Sequence, residues 1–131
     1  MEQSLVAFLL ASAGLTGLTG TRIHWVKAPP GVTAPYVVLT LVSSPRDMKM
    51  SGPSGLRMSR VQADCYGPTY ASAKGVAQQV EARLSGYRGA TGTTTFDGIF
   101  LDSERDGFED DATPTDLHRV MLDFLIWHKE T

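Results

Sequence analysis

Hydrophobic and polar positions recur along this chain with two different periods, and the helical period marks two segments. Leu5, Phe8 and Leu9 lie at helical spacing, which predicts an N-terminal amphipathic helix from Glu2 to about Gly14. The second helix follows a candidate N-cap at Thr69 and ends before a glycine at position 86. Its apolar face comprises Tyr70, Ala73, Val76, Ala77, Val80 and Leu84.

A period of two, or a high density of β-branched and aromatic residues, predicts strands at residues 36–42, 56–66, 98–102 and 117–127. Residues 22–26 form a further short extended segment. In the last strand Leu125 and Trp127 make the second face apolar as well. That strand is therefore either central in its sheet or covered by a partner on its outer face.

The order of these elements is helix, strand pair, helix, strand pair, which favours an α+β architecture in two layers. We expect a single domain over residues 1–131, with an antiparallel sheet of four or five strands and both helices packed on one face. The first pair, with its long connection, is expected to be an antiparallel hairpin with a protruding loop.

Composition and charge restrict the function classes. Twelve basic and fourteen acidic residues give a net charge of -2, so general attraction to nucleic acid or an anionic membrane is not expected. The single cysteine, Cys65, excludes an intrachain disulfide and is predicted to be a buried, inert thiol. Glu2 and Gln3 stand where a signal peptide needs basic residues, so we expect cytoplasmic synthesis and no membrane contact.

No combination of residues indicates catalysis, and we predict that the protein is not an enzyme and needs no cofactor. The glycine-rich residues 86–92 contain no P-loop lysine. The three histidines, His24, His118 and His128, lie on separate strand-like segments without the spacing of a zinc site. We expect these histidines at the surface or only partly packed.

Several short motifs occur in a fixed order: Gly17–Ile23, Gly52–Leu56 before a strand ending Val61–Tyr66, Thr69–Lys74, Gly98–Asp102 and Asp123–His128. With the order of elements, they resemble the tail completion or tail terminator proteins of long-tailed bacteriophages and phage-like gene transfer agents. The resemblance covers nearly the whole chain. It implies a structural protein, made in the bacterial cytoplasm, that forms a ring, expected to be a hexamer. Such a ring caps the tail tube protein and joins it to the head–tail connector proteins, and DNA passes through its lumen.

An acidic segment follows the predicted strand at residues 98–102 and contains Asp102, Glu104, Asp106, Glu109 and Asp110. Its first residues partly match a calcium-binding EF-hand loop, but position twelve is Thr113, which cannot supply the bidentate carboxylate, and strands flank it instead of helices. A solvated, charged hairpin is favoured over a calcium site. In a ring, the same carboxylates could line the lumen and repel DNA phosphates.

The loop at residues 43–55 is the main candidate for partner contact, because it combines flexibility, basic charge and methionines, which suit adaptable contacts. The residues proposed for this contact are Arg46, Asp47, Met48, Lys49 and Met50. An ordinary disordered hairpin tip explains the loop equally well unless the resemblance holds. Leu125 and Trp127 are the candidates for a subunit interface. The alternative function is a small host ligand-binding or regulatory module with its ligand under residues 28–33.

Overall fold

The computed structural model describes residues 2–26, 35–43, 57–92, 94–109 and 117–130. Within these ranges the chain forms three helices: α1 (Glu2–Leu10), α2 (Ala13–Thr19) and α3 (Tyr70–Leu84). It also forms six strands: β1 (Ile23–Trp25), β2 (Tyr36–Ser43), β3 (Arg57–Gly67), β4 (Gly89–Thr91), β5 (Thr94–Glu109) and β6 (Leu117–Glu130).

All six strands belong to one sheet with the order β1-β2-β3-β6-β5-β4. β2 and β3 form the expected antiparallel hairpin, and β5 and β6 form a second one. The two hairpins join where β3 pairs with β6 over eleven residue positions, from Arg57 opposite His128 to Gly67 opposite His118. β6, whose two faces both carry apolar residues, is therefore central, which was one of the two positions that its sequence favoured.

The α+β class is confirmed, but the sheet is larger and less uniform than predicted. The short segment at residues 23–25 pairs in parallel with β2, so the sheet is mixed rather than antiparallel. Residues 89–91, at the end of the glycine-rich stretch, form β4 against the start of β5, a strand that the sequence did not predict.

The hydrophobic core lies between the three helices and one face of the sheet, as expected. On the sheet, the alternating residues Val120, Leu122, Phe124 and Ile126 of β6 are fully buried. They pack with buried residues of the neighbouring strands and with the apolar faces of the helices. The helix residues of this cluster are Leu5, Phe8, Leu9, Leu15, Ala73, Val76, Ala77, Val80 and Leu84.

The N-terminal segment forms two helices where the sequence predicted one. α1 ends at Leu10, and Ser12 caps α2 by accepting a hydrogen bond from the Leu15 amide at 3.3 Å. Gly14, predicted to end the first helix, lies inside α2 instead. An added Cβ at Gly14 would meet only the amide end of the Gln79 side chain in α3, which is flexible and can move aside. The Ser12 cap and the burial of Leu15 in the core favour α2 despite the low helix propensity of glycine.

The start and end of α3 follow the sequence prediction. The Thr69 hydroxyl accepts a hydrogen bond from the Ser72 amide at 3.1 Å, which confirms the predicted N-cap. Gly86 follows the last turn with a positive φ of 79°, where glycine is favoured. Gly67 ends β3 so close to the helix that a Cβ there would lie 2.5 Å from the Ala73 backbone nitrogen. The helix therefore starts directly against the sheet.

Two phenylalanines on opposite faces of the sheet provide a test of this core. Phe124 is fully buried, whereas Phe100 is 52% exposed. We expect Phe124→Ala to lower the free energy of unfolding by about 3 to 5 kcal/mol, because it leaves a cavity beneath the helices. Phe100→Ala should cost less than about 1 kcal/mol. Equal losses in a denaturant titration would contradict the assignment of the two faces.

Candidate interaction surfaces

The sheet face opposite the helices carries the two residues proposed for a subunit interface. Leu125 and Trp127 lie on this outer face and are partly buried. Leu125 lies between Arg60 of β3 and Phe100 of β5, and Trp127 lies between Met58 and Gly98. We refer to Met58, Phe100, Leu125 and Trp127 as the outer apolar patch. The apolar character of this face, predicted from β6, extends across three strands.

Phe100 is the part of this patch that sequence reasoning missed. It was recognised only as a strand residue, although its side chain is among the most exposed large hydrophobic groups of the described residues. Its ring lies over Gly98, where an added Cβ would be 2.9 Å from the ring carbon Cε2. Alternation with Ile99, which is fully buried, was the available signal.

A polar network occupies the outer face next to the apolar patch. The Asp123 carboxylate accepts hydrogen bonds from the Ser103 hydroxyl at 2.9 Å and from Arg105 at 3.4 Å. Arg105 also donates to the Gln62 carbonyl at 3.4 Å, and the Gln62 amide donates to Asp64 at 2.8 Å. These contacts link β3, β6 and β5, so the polar groups on this face form a connected layer.

From Asp102 to Glu109 the acidic segment is part of β5 and not of a connecting hairpin, which corrects the sequence interpretation. β5 continues to Glu109 because β6 offers it a pairing partner along this length. The register shifts between Leu101 and Ser103, which adds one residue to the strand. Asp102 therefore points to one face of the sheet and Glu104 and Asp106 to the other, so the three carboxylates do not converge as in a calcium-binding loop.

On the outer face, Asp102 forms an ion pair with Arg60 of β3 at 2.7 Å. The hydrogen bond that Arg60 donates to the Asp102 carboxylate raises the pKa of Arg60, and the partial desolvation of the guanidinium opposes this effect. Both side chains are more than one third exposed, so solvent screens the pair. Its main effect is to neutralise the carboxylate beside Phe100.

On the helix side, Glu104 and Asp106 face α3. Lys74 lies 2.6 Å from the Glu104 carboxylate and 3.8 Å from that of Asp106, and the Tyr70 hydroxyl donates to Asp106 at 3.1 Å. The hydrogen bond with Glu104 is the main factor that raises the pKa of Lys74. The side chain of Glu109 and the whole of Asp110 lie outside the described residues.

The remaining titratable candidates are packed within the protein. Cys65 is fully buried, as predicted, and its burial raises the pKa of the thiol, so it stays protonated and unreactive. His128 is only 4% exposed, so the prediction that all three histidines lie at the surface or partly packed was wrong for this residue. Its Nε2 atom lies 2.8 Å from the Ser59 hydroxyl. Position 128 continues the buried alternation of β6, which was the signal for its burial.

Other expected sites have less structural support. In the parts of the chain that the structure describes, no group of three histidine, cysteine or acidic side chains could hold a metal ion. No helix within those parts is long and apolar enough to cross a membrane. The predicted partner-contact residues 46–50 and the proposed ligand loop at residues 28–33 lie outside the described residues.

Comparison with known proteins establishes the family. The profile of the family described as tail completion protein gp17 matches residues 3–129, and the chain therefore belongs to this family of phage tail proteins. A comparison with curated protein sequences found no match. Among solved structures, the fold is similar to a chain of a structure titled "Virion of native gene transfer agent (GTA) particle", with a TM-score of 0.77 and 20% sequence identity. The similarity covers 98% of this chain and 94% of the other.

The division of the acidic segment between two faces predicts how the protein responds to calcium. A ligand that binds only the folded state raises the melting midpoint. We expect the melting midpoint in millimolar calcium to equal the midpoint in the same concentration of magnesium, because Arg60 and Lys74 already pair with the carboxylates. A rise in the midpoint with calcium alone would contradict this interpretation.

Proposed function

We propose that the protein forms a homo-oligomeric ring at the head–tail junction of a phage-like particle. The ring caps the tail tube and joins it to the head connector, and DNA passes through its lumen without sequence-specific binding. The observation that carries this proposal is the family match over residues 3–129. The fold similarity to a chain from a gene transfer agent virion supports it independently.

The geometry favours assembly over chemistry. The helices cover one face of the sheet, whereas in the described residues no secondary structure element packs on the outer face. A half-exposed aromatic ring on a partly apolar face is typical of a surface that meets another protein. We propose that Leu125 and Trp127 contribute to subunit contacts from this face. Six subunits is the stoichiometry that we expect for the ring.

The acidic segment and the loop at residues 43–55 have separate proposed roles. In a lumen, Asp102 and Glu104 would repel DNA only weakly, because Arg60 and Lys74 compensate their charge. Weak repulsion would let DNA slide past without being held. The loop residues from Arg46 to Met50 are proposed to contact the tail tube or the connector, with basic charge and adaptable methionines as the contact groups.

Deletion of the gene in the strain that produces the particles tests the proposed function. Electron microscopy should show filled heads separate from tails, or tails of uncontrolled length, because the junction would lack its ring. Complementation with the intact gene should restore normal particles. Normally tailed particles in the deletion strain would rule out a role at the junction.

The same complementation assay tests the loop. A variant lacking residues 47–54 should fold, since the deletion falls between β2 and β3, but it should not restore tail attachment. A matched control replaces these eight residues with a flexible glycine and serine linker of equal length, which keeps the spacing and removes the side chains. If both variants restore normal particles, the loop does not provide the contact.

A further inference from the structure

At one edge of the sheet, most of β5 has no partner strand on its outer side among the described residues. β4 pairs with β5 only at Thr94–Phe96, and the Gly86 amide donates to the Ile99 carbonyl at 2.7 Å. From Phe100 to Gly107, β5 pairs with β6 on one side, and no described strand flanks its other side. An open strand edge is a template for pairing with another chain.

The opposite edge of the sheet is also only partly covered. β1 pairs with β2 at Val37–Leu39, and the Val26 amide donates to the Leu39 carbonyl at 2.7 Å. No described strand flanks the remaining part of β2, from Thr40 to Ser43, on this side. Leu41 and Val42 in this part are 38% and 50% exposed. Exposed apolar side chains on an open edge favour association.

The strand registers place these two open stretches at the same height on the sheet. Ser43 pairs with Arg60, which pairs with Leu125, and Leu125 pairs with Phe100. In the same way, Thr40 pairs with Gln62, Gln62 pairs with Asp123, and Asp123 pairs with Ser103. The four residues from Thr40 to Ser43 are therefore aligned across the sheet with the four residues from Phe100 to Ser103.

We infer that a second copy of this chain occupies the open edge, and that residues 40–43 of β2 in one protomer pair with residues 100–103 of β5 in the next. This inference rests on the proposed ring and specifies its subunit contact. Because the two edges lie on opposite sides of one sheet, the contact is head-to-tail and can be repeated from protomer to protomer until a ring closes.

Strand direction supports this pairing. β2, β3, β6 and β5 alternate in direction across the sheet. If each protomer continues the sheet of its neighbour without inverting it, β5 and the β2 of the next protomer run antiparallel, which is the more stable arrangement per residue. The outer apolar patch would continue onto Val42 of the neighbouring protomer.

Charge and the two short strands also agree with this contact. Residues 40–43 contain no charged side chain, and Asp102 on the opposing edge already pairs with Arg60 of its own chain. A symmetric contact between two β5 edges would instead bring acidic residues against each other. β4 pairs only with Thr94–Phe96 of β5, so it does not cover residues 100–103. β1 already pairs with Val37–Leu39 of β2, so a neighbouring protomer can pair directly only with the four residues from Thr40 to Ser43.

Disulfide cross-linking tests the pairing directly. Val42 and Phe100 are each about half exposed, so cysteine at these positions should not disturb the core. The native Cys65 is buried and gives little background. Particles assembled from the Val42→Cys/Phe100→Cys variant should yield, after mild oxidation, a ladder of covalent oligomers that extends beyond the dimer. Either single variant should remain mainly monomeric, because a head-to-tail contact needs both cysteines to form a disulfide.

A control pair, Gln78→Cys/Ala82→Cys, places two cysteines on the exposed side of α3 and should give no ladder. Particles with joined heads and tails but no ladder from the edge variant would overturn the contact and leave the junction role intact. Dimers from Phe100→Cys alone as the main product would indicate a symmetric contact and would also overturn it. If a variant does not enter particles, the purified protein can be oxidised at high concentration instead. The same ladder of covalent oligomers is then the expected result, and its absence would overturn the contact.

Discussion

The pairing of β6 with a long strand on each side is the constraint on which the rest of this structure depends. β6 holds β3 and β5 in fixed register, and through them it joins two hairpins that are far apart in the sequence. Its alternating residues Val120 to Ile126 give the helices one continuous apolar surface to cover. The helices cover this face, and within the described residues no helix covers the opposite face.

The sequence predicted the elements whose local pattern agrees with their environment in the fold. The alternation of β3 and β6, and the Thr69 cap of α3, follow from residue spacing alone, and the structure confirms them. The predictions failed where tertiary contacts outweigh local preference. Gly14 is helical because Ser12 caps α2 and Leu15 packs into the core, and the residues from Ser103 to Glu109 are extended because β6 pairs with them.

The candidate surfaces show the same division. Leu125 and Trp127 were recognisable because they break the polar alternation of β6. The exposure of Phe100 and the separation of Asp102 from Glu104 depend on strand order and on the register shift in β5, which no local pattern encodes. Family membership adds what the surfaces alone do not specify, because it places the chain among phage tail proteins. In the proposed ring, the apolar patch and the open strand edges would meet protein, whereas the compensated carboxylates would leave passing DNA unbound.

The most direct test of the proposed ring is a cryo-electron microscopy reconstruction of the head–tail junction in particles that contain this protein. The proposal predicts a closed ring of this chain between the tail tube and the connector, with six copies and a sheet that continues from β5 of one subunit to β2 of the next. Density for this chain at another position in the particle, or a junction built without it, would contradict the proposal.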